Sequence, residues 1–412
     1  MHEIMNLILK NECEAREVIR LVASENLPEV EERLPFMLDM YARYSFDDDS
    51  VWKYPTYFLS DIERLTENYL EEYLDCKYVS VKPISGLNGM LSTISAFCSY
   101  GDTVMSFSPN DGGHFETSAI VKRLGLNSVY LPFDREKWEI DVEKFKEYVS
   151  YNKVKVVYLD LCMVAFPVKL EKIKEVMDKN TLLIYDASHV LGLIIGKQFQ
   201  SPLKEGADII ISSTHKTFPG TQKAIFATNR KLLKWGFDMN CNHFISHHHM
   251  AEVAALGLVL SKGKEYFKNY AYDIILNTRF LSKSLYENGI DVQFASRGFS
   301  DSHQIWIGGG DKSDVDSIIN CLSELKIVVN GAIIPSLNGS WGIRIGLQEV
   351  TSRGITRKGI ELLAGILAKV IKERVITDDI VGMKKELVDS CFTSKINQKK
   401  VERIIEILID ND

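Results

Sequence analysis

The runs DTVMSF, SVYLPF, KVVYLDL, TLLIYD and ADIIISS follow one another between residues 102 and 213, and stretches of helical spacing such as LEKIKEVMDKN separate several of them. Few folds accommodate that alternation. A run such as Ile209-Ile210-Ile211 shows no polar residue on either face, so it suits a strand covered on both sides. A chain that repeats strand, helix, strand winds a mostly parallel sheet between helical layers. After about residue 262 the pattern changes. KEYFKNYAYDIILNTRFLSKSLYENG reads as a long helix ending at Gly289, and the shorter runs HQIWIGGG, IVVNGAII and WGIRIGL alternate with helices. The expected organisation is a helical arm over 1–20, a large α/β domain over 21–274 and a smaller α+β domain over 275–412. In YFLSDIERLTENYLEEYLDC, Ser60 stands three residues before Glu63, which predicts a capping box at the head of a helix.

Composition removes several classes. The net charge of −7 argues against a nucleic-acid partner. The seven cysteines are scattered without a CxxC pair, which suits a reducing compartment, and the N-terminus has no basic region of a secretory signal. No apolar run approaches membrane-spanning length. The expectation is a cytoplasmic protein without membrane or nucleic-acid partners. His243 and the triplet His247–His249 lack the acid or cysteine spacing that would complete a metal site, so none is expected.

Ligands of open α/β sheets sit beyond the carboxyl ends of the strands. TLLIYDASH delivers Asp186 and then His189 at such an end, and ADIIISSTHK delivers His215 and Lys216 at another. An acid and a lysine at neighbouring strand ends read as a surface ion pair, as unrelated loop residues, or as the two grips on pyridoxal phosphate. That cofactor needs an amine for its aldehyde and a carboxylate for its protonated ring nitrogen. Its phosphate needs donors. Ser85 and Gly86 in VKPISGLNGMLSTISAF open a helix beginning near Leu87, where free amides face an anion, though Ser-Gly before a helix is also an ordinary turn. His114, after the glycines of SPNDGGHFET, reads as a loop residue or as an imidazole stacked on the ring. Arg344, inside the apolar run of WGIRIGLQEVTSRG, reads equally as the holder of a substrate carboxylate or as half of a structural ion pair.

Taken in order, LVASEN (21–26), PNDGGHFET, YDASHVLGLI, SSTHKTFPG and GIRIG followed by TSRG resemble the motifs of the serine hydroxymethyltransferase family, over roughly Leu21 to Gly354. The resemblance implies a fold-type-I pyridoxal-phosphate enzyme, aspartate aminotransferase-like. It implies Lys216 as the Schiff-base lysine, Asp186 as partner of the ring nitrogen, His114 stacked on the ring and His189 near the phenolic oxygen. Ser85 and Gly86 would bind phosphate, and His215 would sit beside the lysine. Ser24 and Arg344 would hold the substrate carboxylate. It further implies a homodimer with shared active sites, to which Tyr44 and Tyr54 would contribute across the interface. The reaction implied is making or breaking a Cα–Cβ bond of a small amino acid such as serine, glycine or threonine, with tetrahydrofolate as a co-substrate.

The departures bear on that last point. The family's proton-handling glutamate falls at Phe46, beside Asp47, Asp48 and Asp49, and a phosphate-loop serine falls at Leu87. The turn after the lysine becomes PGTQKAIF. A di-glycine near the partner's phosphate becomes FISHHHM, whose histidines are expected to supply phosphate donors instead. A serine near the cofactor oxygen becomes Val164. Folate use is thereby left open. A folate-independent threonine aldolase or transaldolase, an amino-acid racemase, and a cofactor-binding protein without turnover are the competing readings.

Overall fold

The computed structural model describes residues 2–45, 56–391 and 406. Phe46, Asp47, Asp48, Asp49 and Tyr54 lie outside the described residues. The described residues divide into two compact units, one built on Asn26–Tyr272 and a second made of residues up to Glu25 together with Asp273–Cys391. The N-terminal stretch thus belongs with the smaller unit. There Ile19–Arg20 pairs in parallel with Ile327–Val328, and Gly346 N–H donates to Leu21 O at 2.8 Å.

The large unit is built on seven strands: β1 (Tyr78–Ser80), β2 (Thr103–Ser106), β3 (Asn127–Tyr130), β4 (Val156–Leu159), β5 (Leu182–Asp186), β6 (Ile209–Ser213) and β7 (Ala224–Thr228). Their order across the sheet is β1-β7-β6-β5-β4-β2-β3. The β6–β5, β5–β4, β4–β2 and β2–β3 pairs are parallel, and β7 runs antiparallel to both of its neighbours. The sheet is therefore mixed at one edge. Strand β7 was not anticipated: AIFAT is short, and apolar periodicity carries no information on strand direction. SVYLPF does not form one strand either. It breaks after Tyr130, because Pro132 cannot donate to a ladder, and pairing resumes at Phe133–Asp134.

Strand β6 explains its own position. Ile209, Ile210 and Ile211 are at most 1% exposed, and Ile209 and Ile211 pack with Met90, Ile94, Phe226 and Phe237. Burying one such side chain contributes roughly 1.5–3 kcal/mol. The predicted capping box is not formed. The helix begins at Leu59 with no side-chain cap, which leaves Ser60 inside it, bonded to the Thr56 hydroxyl at 2.8 Å.

In the smaller unit, β8 (Gln304–Gly310), β9 (Asn330–Ile334) and β10 (Ser340–Gly346) form an antiparallel sheet in the order β8-β10-β9. Its core includes Ile305, Ile307, Ile343 and Ile345, packed with Leu363 and Leu367 of the helix Arg357–Glu373. No helix among the described residues is long and apolar enough to cross a membrane.

Candidate active site

Two adjacent parallel strands set the site. Asp186 closes β5 in register with Ile211 of β6, and the chain leaving β6 carries His215 and Lys216. The turn after β6 is tied to itself. Thr214 N–H donates to Lys223 O at 3.0 Å, Gly220 N–H to Thr214 O at 2.9 Å, and the Thr214 hydroxyl to Thr221 O at 2.7 Å. Lys216 is thus presented, half-buried, from a closed loop one strand away from Asp186.

Both oxygens of Asp186 are engaged. Ser188 N–H donates to Oδ1 at 2.9 Å and the Tyr158 hydroxyl to Oδ2 at 2.8 Å. Tyr158 lies on β4 and is fully buried; burial first, and then the Asp186 charge, raise its phenol well above the usual tyrosine range. It is a neutral donor that orients the carboxylate from behind.

His114 is held by its backbone N–H on Asp160 O at 3.1 Å and accepts Glu116 N–H at Nδ1 at 3.3 Å. Its ring stacks on Phe115 at 5.1 Å and 13°. Burial lowers its pKa, the Asp186 charge raises it and the Lys216 charge lowers it again. Those influences put His114, Asp186 and Lys216 in one electrostatic neighbourhood. With Nδ1 accepting, neutral His114 carries its proton on Nε2. His215 is lowered to about 4, by burial first and Lys216 second, and its Nδ1 is buried with no hydrogen-bond partner among the described residues. His189, 4% exposed, sits three residues beyond Asp186.

Ser85 caps the helix Gly86–Phe97, its hydroxyl oxygen accepting Asn88 N–H at 3.1 Å. The first amides of a helix have no acceptor within it. Beside them lies Ser213, whose Oγ is buried without a hydrogen-bond partner among the described residues. A Cβ at Gly86 would come within 3.3 Å of Ser213 Cβ and 4.0 Å of that Oγ, so the glycine keeps a small polar cradle open. Leu87, where the family has a serine, is 45% exposed, and Val164 is buried.

Ser24 and Arg344 belong to the smaller unit. Arg344 lies opposite Asn330 in the β9–β10 ladder and donates from Nε to its side-chain oxygen at 3.3 Å. The segment bearing Ser24 is fastened to the end of the same sheet: Gln348 Nε2 donates to Val22 O and Glu25 O, both at 2.7 Å, and His303 Nε2 lies 3.0 Å from Ala23 O. The histidines expected to supply phosphate donors have partners within this chain. His248 Nε2 is 3.0 Å from Glu63 Oε2; His247 Nε2 is 2.5 Å from Arg43 O, its ring edge-on to Tyr44 at 4.6 Å.

The sequence model of the family described as serine hydroxymethyltransferase matches residues 1–367. The chain belongs to the serine hydroxymethyltransferase family. It is 31% identical over 420 residues to the serine hydroxymethyltransferase of Staphylothermus marinus, covering 96% of this chain and 94% of that one. The serine hydroxymethyltransferase of Archaeoglobus fulgidus is 32% identical over 388 residues, with 90% and 87% covered. Among solved structures, an L-threonine transaldolase from Pseudomonas fluorescens in its internal aldimine state superposes with a TM-score of 0.93 at 26% identity, covering 98% of this chain and 96% of that one. The fold is accordingly that of the fold-type-I pyridoxal-phosphate enzymes, and the chain is an enzyme of the hydroxymethyltransferase and aldolase type that uses this cofactor.

The residues present fit it. A serine hydroxymethyltransferase family site needs an amine, a carboxylate and phosphate donors. Lys216, Asp186 and the cradle of Ser85, Gly86 and the orphaned Ser213 hydroxyl are the corresponding chemistry. Tyr158 and Ser188 were not singled out from sequence, whereas Ser213 stands among the polar residues that close ADIIISS. Tyr158 had a signal, since it stands in KVVYLDL on a strand that parallel winding would set next to β5.

Proposed function

We propose that this enzyme makes or breaks the Cα–Cβ bond of a small β-hydroxy amino acid and does so without tetrahydrofolate, as a threonine aldolase or transaldolase. The observation that carries the reading is geometric: Asp186 closes β5 in register with Ile211 of the adjacent strand, whose exit carries Lys216, and His114 feels both charges. Pyridoxal phosphate, linked to a lysine and protonated on its ring, supplies an electron sink for a bond at the α-carbon. On this reading Lys216 holds the cofactor and Asp186, oriented by Tyr158 and Ser188, keeps the ring nitrogen protonated. Ser85, Gly86 and Ser213 hold phosphate, with His189 near the phenolic oxygen. His114 would stack on the ring of the bound cofactor and, with its proton on Nε2, would offer that N–H to a substrate oxygen. His215 stays neutral beside the lysine at pH 7, and Arg344 with Ser24 holds the substrate carboxylate. Folate independence is supported by Phe46 at the position of the family's glutamate and by the likeness to a protein titled a threonine transaldolase. We further propose a homodimer, with Tyr44 and Tyr54 at its interface.

The test is turnover of L-threonine and L-serine with and without tetrahydrofolate. Acetaldehyde released from threonine in the absence of folate is the expected result. Serine converted to glycine only when folate is added would overturn folate independence. Exchange of the α-hydrogen with inversion and no carbon product would make the enzyme a racemase.

A further inference from the structure

Lys216 is fastened from behind by two residues far away in sequence. The Asn26 side-chain amide donates to Lys216 O at 2.8 Å and to the Tyr270 hydroxyl at 2.9 Å, with Thr217 O at 3.4 Å. The Tyr270 hydroxyl in turn donates to Thr217 O at 3.1 Å. An amide nitrogen has two hydrogens and a phenol one. All three are used, so the two peptide oxygens that follow the lysine's Cα are held in one chain of donors. The surroundings reinforce this. Phe218 stacks on Phe267 at 5.2 Å, one helical turn before Tyr270, and the Thr217 hydroxyl accepts Gly192 N–H at 3.1 Å. A Cβ at Gly192 would lie 2.5 Å from Thr217 O, so the helix Leu191–Ile195 closes on the same peptide. Asn26 opens the main segment of the large unit, and Tyr270 stands two residues before that segment ends at Tyr272.

We infer that Asn26 and Tyr270 are positioning residues for Lys216, which fix its peptide so that Nζ meets the cofactor aldehyde from one origin. A lysine side chain has four freely rotating bonds, so its reach is defined only as well as its Cα is. Reactions between groups held in place depend steeply on such alignment. A loose lysine backbone therefore alters how readily the amine is exchanged and at what pH its imine with the cofactor loses its proton. Neither quantity follows from fold stability alone. The inference rests on Lys216 carrying the cofactor, whatever bond the enzyme breaks.

The experiment uses the full-length holoenzyme with Asn26→Ala, Asn26→Asp and Tyr270→Phe. Two quantities are read: the pH midpoint of the visible absorbance of the lysine-bound cofactor, and the rate at which hydroxylamine removes that band. The alanine and aspartate variants should shift the midpoint and change the hydroxylamine rate about tenfold. Aspartate fails to rescue because a carboxylate has no N–H to give. Tyr270→Phe, which keeps its ring, should move both quantities the same way by less, and it carries the test if the Asn26 variants do not fold. Wild-type midpoints and rates in the variants that fold, or rescue by aspartate, would overturn the inference. Wild-type protein in which borohydride fixes no cofactor at Lys216 would sink the premise itself.

Discussion

Tyr158 donates to the carboxylate that would face the cofactor ring, and it does so from a fully buried position. Tyr158→Phe removes that donor and little volume. Hydrogen bonds to charged groups contribute roughly 1.5–3 kcal/mol. The variant should therefore bind pyridoxal phosphate about tenfold or more weakly, as read by the concentration needed to restore the visible band. Lys216→Ala should abolish turnover and borohydride fixation while leaving weak cofactor binding, measured by equilibrium dialysis. His215 provides a pH signature. Its folded-state pKa of about 4 lies below the unfolded value near 6.5. Between those two values the unfolded chain binds the extra proton and the folded one does not, so the contribution to stability is complete above about pH 6.5 and is lost as pH falls toward 4. Urea midpoints measured from pH 7 to pH 4 should decline less steeply in His215→Asn than in the wild type.

The helix Leu191–Ile195 touches the lysine loop at Gly192, where any side chain meets Thr217 O. Gly192→Ala should cost about 1–3 kcal/mol by overpacking and also loosen cofactor binding, which a thermal melt with and without pyridoxal phosphate separates. At this scale the sequence was legible where one element bore its own signal. Strands β5 and β6 announced themselves as unbroken apolar runs, and the polar residues closing them included Asp186 and Lys216. The helix at Gly86 was visible from its Ser-Gly entrance. What stayed hidden depends on pairs of elements. The direction of β7 is set by its neighbours in the sheet, and Ser60 lost its capping role because the helix starts two residues earlier than the motif implies. Asn26 stands inside the motif LVASEN, yet its partner is 190 residues away, and no local window could show it.

The whole molecule adds a surface that a single chain leaves uncovered. In the N-terminal helix His2–Ala15, Ile4 is 67%, Leu7 60% and Ile8 51% exposed. Such apolar exposure on one helix favours association. Light scattering should find the full-length protein dimeric, and deletion of residues 2–15 should weaken the dimer in dilution experiments. A persistently monomeric, active full-length enzyme would rule the dimer out. The bond from Asn26 to the peptide of Lys216 also has a bearing on biosynthesis. While the polypeptide is still emerging, the lysine exists before Tyr270 does, and the fastening that joins residues 26, 216 and 270 cannot yet close. On the proposed role of Lys216, vitamin capture in its final geometry would be a late event, deferred until well over half of the polypeptide has been made.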